Sequence, residues 1–235
     1  MRKIRKRCHC YRWVVKPWEQ LDTAATPDGK TLQLWRHDRD YAIRAEGYDL
    51  MVSRAHNSED VMMSLACPRP AADATVLIGG LGMGYTLRAT LDLLPSGGIA
   101  VVSELIPEVV EWNRGVLGPL AGNPLDDPRT EVVELDVVRV IRESENRFDA
   151  ILLDVDNGPD SPTQDGNRRL YTPEGLAKIY RALRAGGTVA VWAVGKDGGG
   201  FERRLRKAGF EPRTHRITAH GERGRKHVVF VGEKL

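Results

Sequence analysis

Glycines and carboxylates recur at one kind of place in this chain, the point where an apolar run ends and an amphipathic run begins. Residues 76–84 read Val-Leu-Ile-Gly-Gly-Leu-Gly-Met-Gly, so Gly80, Gly82 and Gly84 alternate after a buried run. Glycine belongs where a turn must be tight and a ligand must approach the backbone. About 20 residues past that turn, a second apolar run, 99–103, ends in Glu104, where a carboxylate can accept from two ribose hydroxyls. A third run leads to Asp136, well placed to accept from an adenine amino group, and a fourth leads to Asp154-Val-Asp156-Asn-Gly-Pro159. One carboxylate at such a point is an ordinary helix cap. Polar signals at four successive ends point instead to a nucleoside site with an additional acid beside it.

The elements that must position these residues follow from the same pattern. From residue 74 onward, strands at 76–79, 99–103, 131–135, 150–153 and 188–192 alternate with helices at 85–94, 107–114, 137–143, 173–183 and 200–208. That alternation predicts an α/β fold with a mostly parallel, Rossmann-like sheet and helices on both faces. Ligands bind such sheets beyond the carboxyl ends of the strands. Residues 210–217 and 227–232 predict a C-terminal antiparallel hairpin. Before the core, 32–35, 41–44 and 49–53 read as strands of a small β-rich module. Residues 58–66 read as a helix with Ser58 as its N-cap, and Pro68 and Pro70 end it. The expected division is a basic arm 1–19, a β-rich module 20–68 and a catalytic domain 69–235.

Composition narrows the class. The chain has 235 residues, 41% hydrophobic and 29% charged, which suits a soluble globular protein. No apolar run approaches the roughly 20 residues that span a bilayer, so no membrane partner is expected. Three cysteines, Cys8, Cys10 and Cys67, build no disulfide framework and suit a reducing cytoplasm. Cys8-His9-Cys10 offers no second ligand pair, so no metal is expected. The first 16 residues carry seven Lys/Arg and no acid, which leaves −4 on the remainder (+3 less 7). This arm, with Arg203, Arg204, Arg206, Lys207, Arg213, Arg216, Arg223, Arg225 and Lys226, could face a phosphate backbone. No RNA-binding motif accompanies them, and a solvated surface is the simpler reading.

The glycine turn and the acids after it resemble the Rossmann-like S-adenosylmethionine transferases, and more closely the spermidine synthase (polyamine aminopropyltransferase) family. The resemblance covers about residues 30–215. It includes 50–59, similar to the family's segment joining its N-terminal module to the core. It also includes Phe148-Asp-Ala-Ile-Leu-Leu-Asp154, Leu170-Tyr-Thr-Pro-Glu174 and Leu183-Arg-Ala-Gly-Gly187. The resemblance implies a nucleoside-binding set of Gly80, Gly82, Met83, Gly84, Glu104 (ribose), Leu105, Asp136 (adenine), Val137 and Asp154. It implies catalytic roles for Asp154, Asp156 and Tyr171, a small-molecule amine acceptor, and a homodimer. The donor it implies is decarboxylated S-adenosylmethionine or S-adenosylmethionine, a co-substrate expected to need no metal because a sulfonium is already activated.

Three departures bear on the substrate. The family's aspartate in the glycine turn, which holds the donor's primary amine, is replaced by Met83. Its Tyr-His pair before Glu59 is Asn57-Ser58. The second aspartate of its acidic loop falls on Asn157, with Asp156 displaced by one. Aminopropyl transfer is therefore the leading expectation. Methyl transfer from S-adenosylmethionine to a small amine, or less readily to RNA, is the alternative, as is an inactive nucleoside-binding homologue. A dehydrogenase explains the glycines and Glu104 but not Asp136 and Asp154. Several side chains carry two readings: Met83 and Tyr85 line the donor tail or pack, Tyr171 closes over the acceptor or caps the next helix, and His56 touches substrate or serves its loop. Gln164, Asp165 and Asn167 fall in a long polar stretch of the kind that forms lids. Trp112 and Trp192 are expected to pack, whereas Trp13, Trp18 and Trp35 could shape the acceptor side.

Overall fold

The computed structural model describes residues 16–155, 158–159, 167–194, 200–220 and 223–235. The basic arm to residue 15, Asp156, Asn157, Gln164 and Asp165 lie outside them, and so do the expectations placed on those residues.

The first unit is a four-stranded antiparallel sheet of β1 (Glu19–Ala25), β2 (Thr31–His37), β3 (Asp40–Ala45) and β4 (Tyr48–Val52), in sequence order. Helix α1 (Asn57–Ala66) follows, packed on α2 (Tyr85–Leu93) and on the strands of the second sheet. That sheet has seven strands: β5 (Thr75–Gly79), β6 (Ile99–Ser103), β7 (Thr130–Val133), β8 (Phe148–Leu153), β9 (Leu183–Val194), β10 (Phe210–His220) and β11 (Arg223–Lys234), in the order β10-β11-β9-β8-β5-β6-β7. Its first five strands in sequence pair in parallel, while β11 joins β9 and β10 in antiparallel fashion. This is the expected α/β sheet with its hairpin.

The central strands bury both faces, which is why they read as unbroken apolar runs. Alternate residues feed two cores. Val76 and Ile78 of β5, Ala100 and Val102 of β6, and Ala150 and Leu152 of β8 meet Met62, Met63, Leu87, Leu91 and Val110 of α1, α2 and α3 (Pro107–Arg114). Leu77, Val101, Ile151 and Leu153 face the other way. They meet Ile141, Leu176, Ile179 and Leu205 of α4 (Val137–Arg142), α5 (Pro173–Ala182) and α6 (Gly200–Lys207). The N-terminal sheet joins the first core through Ala24, Leu32, Leu34 and Ile43.

Two long-range bonds tie the outer elements together, one from the N-terminal sheet to α3 and one from α1 to the hairpin. Trp112 on α3 donates its indole N–H to Asp22 Oδ2 on β1 at 2.7 Å, so the tryptophan expected to pack also bonds. That bond holds the Asp22 carboxyl below its usual range. Asn57 on α1 donates to the carbonyl of Thr218 on β10 at 2.9 Å.

The structure corrects one expected cap. Helix α1 begins one residue early, its N-cap is His56, and Ser58 lies buried inside its first turn. The hydroxyl is drawn to side-chain partners rather than to the helix's own amides.

Trp112→Phe keeps the buried ring but removes the bond to Asp22. A loss of about 1 kcal/mol is expected, read as an earlier urea midpoint with an unchanged denaturant slope.

Candidate active site

Register brings the site together. In the parallel ladders Gly79 pairs with Ser103 on one side and with Leu153 on the other, so the next residues, Gly80, Glu104 and Asp154, form one row at the strand ends. Ser103 pairs with Val133, which places Asp136 three residues farther out on the same side.

Gly80, Gly82 and Gly84 all adopt left-handed backbone, at φ +86°, +52° and +82°, a region that side chains avoid. A Cβ on Gly80 would stand 2.5 Å from the Asp154 carbonyl oxygen, and one on Gly82 would stand 3.0 Å from Met51 Sδ of β4. The glycines thus let the turn pass closely over the end of β8 and under the N-terminal sheet.

Glu104 is buried, and its carboxylate gathers three backbone N–H groups. Oε2 accepts from Leu81 in the turn at 2.9 Å; Oε1 accepts from Leu105 at 2.8 Å and Ile106 at 3.0 Å. Burial pushes its proton affinity up and the three bonds pull it down, with burial the larger effect. A carboxylate offers about four acceptor positions. The described bonds fill three of them, two on Oε1 and one on Oε2. Beside it, the Leu105 side chain is 46% exposed, an apolar surface against which a base could lie.

Asp136 caps α4, with Oδ1 accepting from the Val138 N–H at 2.8 Å while the residue stays exposed. Val137 packs into the second core and offers a ligand only its backbone. Met83 has no exposed surface. Of its two readings, lining the donor tail or packing, this burial favours packing.

Asp154 Oδ2 accepts from the hydroxyl of Thr86 at 3.0 Å, in the first turn of α2. Thr86 was not singled out from sequence, because a threonine in an amphipathic helix carries no signal of its own. Tyr85 stacks on His56 with ring centroids 4.0 Å apart and donates to the Ser53 carbonyl at 3.1 Å. His56 also bonds Asp60 at 2.7 Å. Both therefore have intramolecular roles at the rim of the row.

Tyr171 is buried edge-on against Phe201 at 5.7 Å. The cap of α5 is Thr172, which accepts from the Gly175 N–H at 3.1 Å; the capping reading of Tyr171 is corrected. Asn167 donates to the Val155 carbonyl at 3.3 Å. Trp18 and Trp35 flank Arg44 in the N-terminal sheet at 4.8 and 5.2 Å.

Glu59 joins the site from α1. It is buried, and its carboxyl is pushed up to about 8 by burial and then by the charge of Asp154, against a bond from Ser58. Among the described residues no group of three or more His, Cys, Asp or Glu side chains has metal-holding geometry, and no helix is long and apolar enough to cross a membrane.

Comparison with known proteins gives three findings. A family model described as the spermine/spermidine synthase domain matches residues 56–195. The polyamine aminopropyltransferase of Pyrobaculum aerophilum is 34% identical over 132 residues, covering 54% of this chain and 42% of the relative. That of Saccharolobus islandicus is 32% identical over 131 residues, covering 55% and 41%. The matches thus span about two fifths of those relatives' length. The fold matches the crystal structure of Thermotoga maritima spermidine synthase with a TM-score of 0.72 at 23% identity, covering 92% of this chain and 73% of that one. It also matches a Burkholderia thailandensis N1-methyltransferase at 0.54 and 20% identity, covering 77% and 78%.

Two outcomes test this geometry. Gly80→Ala forces a side chain into left-handed backbone and against Asp154, and is expected to cost about 1–3 kcal/mol in denaturant unfolding. Folded Glu59 holds a proton between its unfolded range and about pH 8 that the unfolded chain releases. Its contribution to stability is therefore full at acid pH and lost as pH rises through about 8. The difference in melting temperature between wild type and Glu59→Gln should shift accordingly between pH 5 and pH 9.

Proposed function

The chain belongs to the spermine/spermidine synthase domain family, and from that membership we propose that it transfers an aminopropyl group from decarboxylated S-adenosylmethionine to a small amine. The observation that carries the reading is the row of Gly80, Glu104 and Asp154 at adjacent strand ends, inside the stretch that the family model matches.

Each group has a task in that reaction. The glycine turn and Glu104 hold the ribose side of the donor, with Leu105 against the base and Asp136 at its amino group. The acceptor reaches the site as an ammonium, which has no lone pair. Asp154, steadied by Thr86, binds it and takes a proton. The freed nitrogen attacks the propyl carbon next to sulfur from the side opposite the C–S bond. A C–N bond forms, the C–S bond breaks, and sulfur keeps the electron pair as the thioether of methylthioadenosine. Carboxylates also favour the sulfonium before reaction, so the gain comes chiefly from orientation and proton removal. Tyr171 and Asp156 belong to the same proposal as groups near the acceptor, as do a homodimer and a cytoplasmic setting. Cys67, the free thiol among the described residues, suits the last.

One observation favours a second reading. Met83 stands where the family places the acid for the donor's amine, and it is buried. An intact S-adenosylmethionine, with methyl transfer, would not need that acid. The two are separated by thermal shift with S-adenosylmethionine, its decarboxylated form, S-adenosylhomocysteine and methylthioadenosine. A ligand binding only the folded state raises the melting temperature with the logarithm of its saturation. The proposal expects the largest shifts from the decarboxylated donor and methylthioadenosine; larger shifts from the other pair would replace it with methyl transfer. Asp154→Asn is expected to lower turnover about 10²–10⁴-fold with methylthioadenosine affinity nearly unchanged. Equal losses of both would remove Asp154 from catalysis.

A further inference from the structure

The family's Tyr-His pair is absent here, and the residues in its place face inward. Asn57 is occupied with the Thr218 carbonyl. Ser58 is fully buried, bonded to Glu59, and its Oγ lies 2.8 Å from His227 Nδ1 on β11. His227 packs edge-on against Trp192 of β9, at 4.7 Å. Both replacements are engaged within the protein, Asn57 with the hairpin and Ser58 with the residue after it, Glu59.

The Ser58 hydroxyl lets Glu59 change charge without leaving a buried polar atom unpaired. When Glu59 is ionised it accepts from the hydroxyl, whose oxygen accepts from His227 Nδ1–H. When it is protonated it donates to the hydroxyl oxygen, and the hydroxyl donates to His227 Nδ1 in the tautomer that carries the ring proton on Nε2. The charged groups around Glu59 are all acidic among those that act on it: Asp154 from the end of β8 and Asp60 from its own helix. Tyr85 faces it from α2 and stays a neutral phenol. Among the described residues no lysine or arginine forms an ion pair with it. A buried acid beside like charges, with no described cation paired to it, is a site that an incoming cation completes.

We propose that Glu59 is the carboxylate that binds the acceptor's ammonium group, with Ser58 and His227 as positioning residues, in place of the Tyr-His pair this chain lacks. The proposal rests on the aminopropyl-transfer reading of the same site. Glu59 and Asp154 then face the same alkylammonium. Glu59 holds the cation and stays ionised against it, while Asp154 takes the proton that frees the nucleophile. Because Glu59 keeps its proton in the free protein near neutral pH, acceptor binding expels that proton to solvent.

The test is calorimetric titration of 1,4-diaminobutane into full-length protein saturated with methylthioadenosine, at pH 7 in buffers of different ionisation enthalpy. Wild type is expected to bind the diamine with net release approaching one proton per site. Glu59→Gln is expected to weaken the diamine about tenfold or more, to abolish the release, and to leave methylthioadenosine affinity within about twofold. Glu59→Asp should recover part of the affinity. Ser58→Ala keeps the carboxylate and should bind the diamine with an altered pH midpoint. The proposal is overturned if wild type binds methylthioadenosine but no diamine, or if Glu59→Gln binds the diamine as tightly as wild type. It also fails if Glu59→Gln and Glu59→Asp both lose diamine and nucleoside together, which would mark Glu59 as structural. Product analysis with the decarboxylated donor separates the two readings. Diamine binding without aminopropylated product removes the reaction and leaves Glu59 its ammonium. Product formed by Glu59→Gln at wild-type KM removes Glu59 alone.

Discussion

The site is organised around one buried carboxylate. Glu104 binds the amide of Leu81 in the glycine turn and the amides of Leu105 and Ile106 at the entry to α3. It thereby fixes the segment after β5 to the segment after β6. Burying a carboxylate is costly unless donors surround it, and here the donors are backbone groups whose positions the two strands already dictate. The turn adds a second tie, as Gly80 donates to the Ser103 carbonyl at 2.9 Å. Once these two strand ends are locked, the height of the turn over β8 is set, and with it the separation of Asp154 from the nucleoside side.

Much of this was legible in the sequence because the central strands are buried on both faces. The strand 99–103 and the helix 107–114 fall where their apolar runs and Pro107 place them. The peripheral elements were harder to read. β1 was missed because Glu19–Ala25 has only Leu21 and three alanine or threonine positions to suggest a strand; it exists by pairing with β2. The last two residues assigned to the third core strand lie outside β7, since the chain leaves the ladder after Val133 to reach the Asp136 cap. β9, β10 and β11 run longer than their apolar stretches because each pairs with a long neighbour.

The site divides along the same line. The strand-end residues could be read, because a strand end is a local signal. Thr86, Ser58 and His227 could not, since each matters through a partner far away in the chain: Asp154 for Thr86, and one another for Ser58 and His227. Where the chain departs from its family, polar functions have become internal ones. Met83 fills core space and Asn57 ties α1 to the hairpin. These changes leave the fold intact, and a fold shared with a methyltransferase does not decide specificity.

The bond between Ser58 and His227 spans 169 residues and joins the first quarter of the chain to its last ten. Asn57 and Thr218 are separated by 161. Such contacts close late, because distant segments must meet after everything between them is ordered. The glycine turn and the first parallel strands can therefore pair before β11 is in place, and α1 is fastened to the hairpin only when β10 and β11 have joined the sheet.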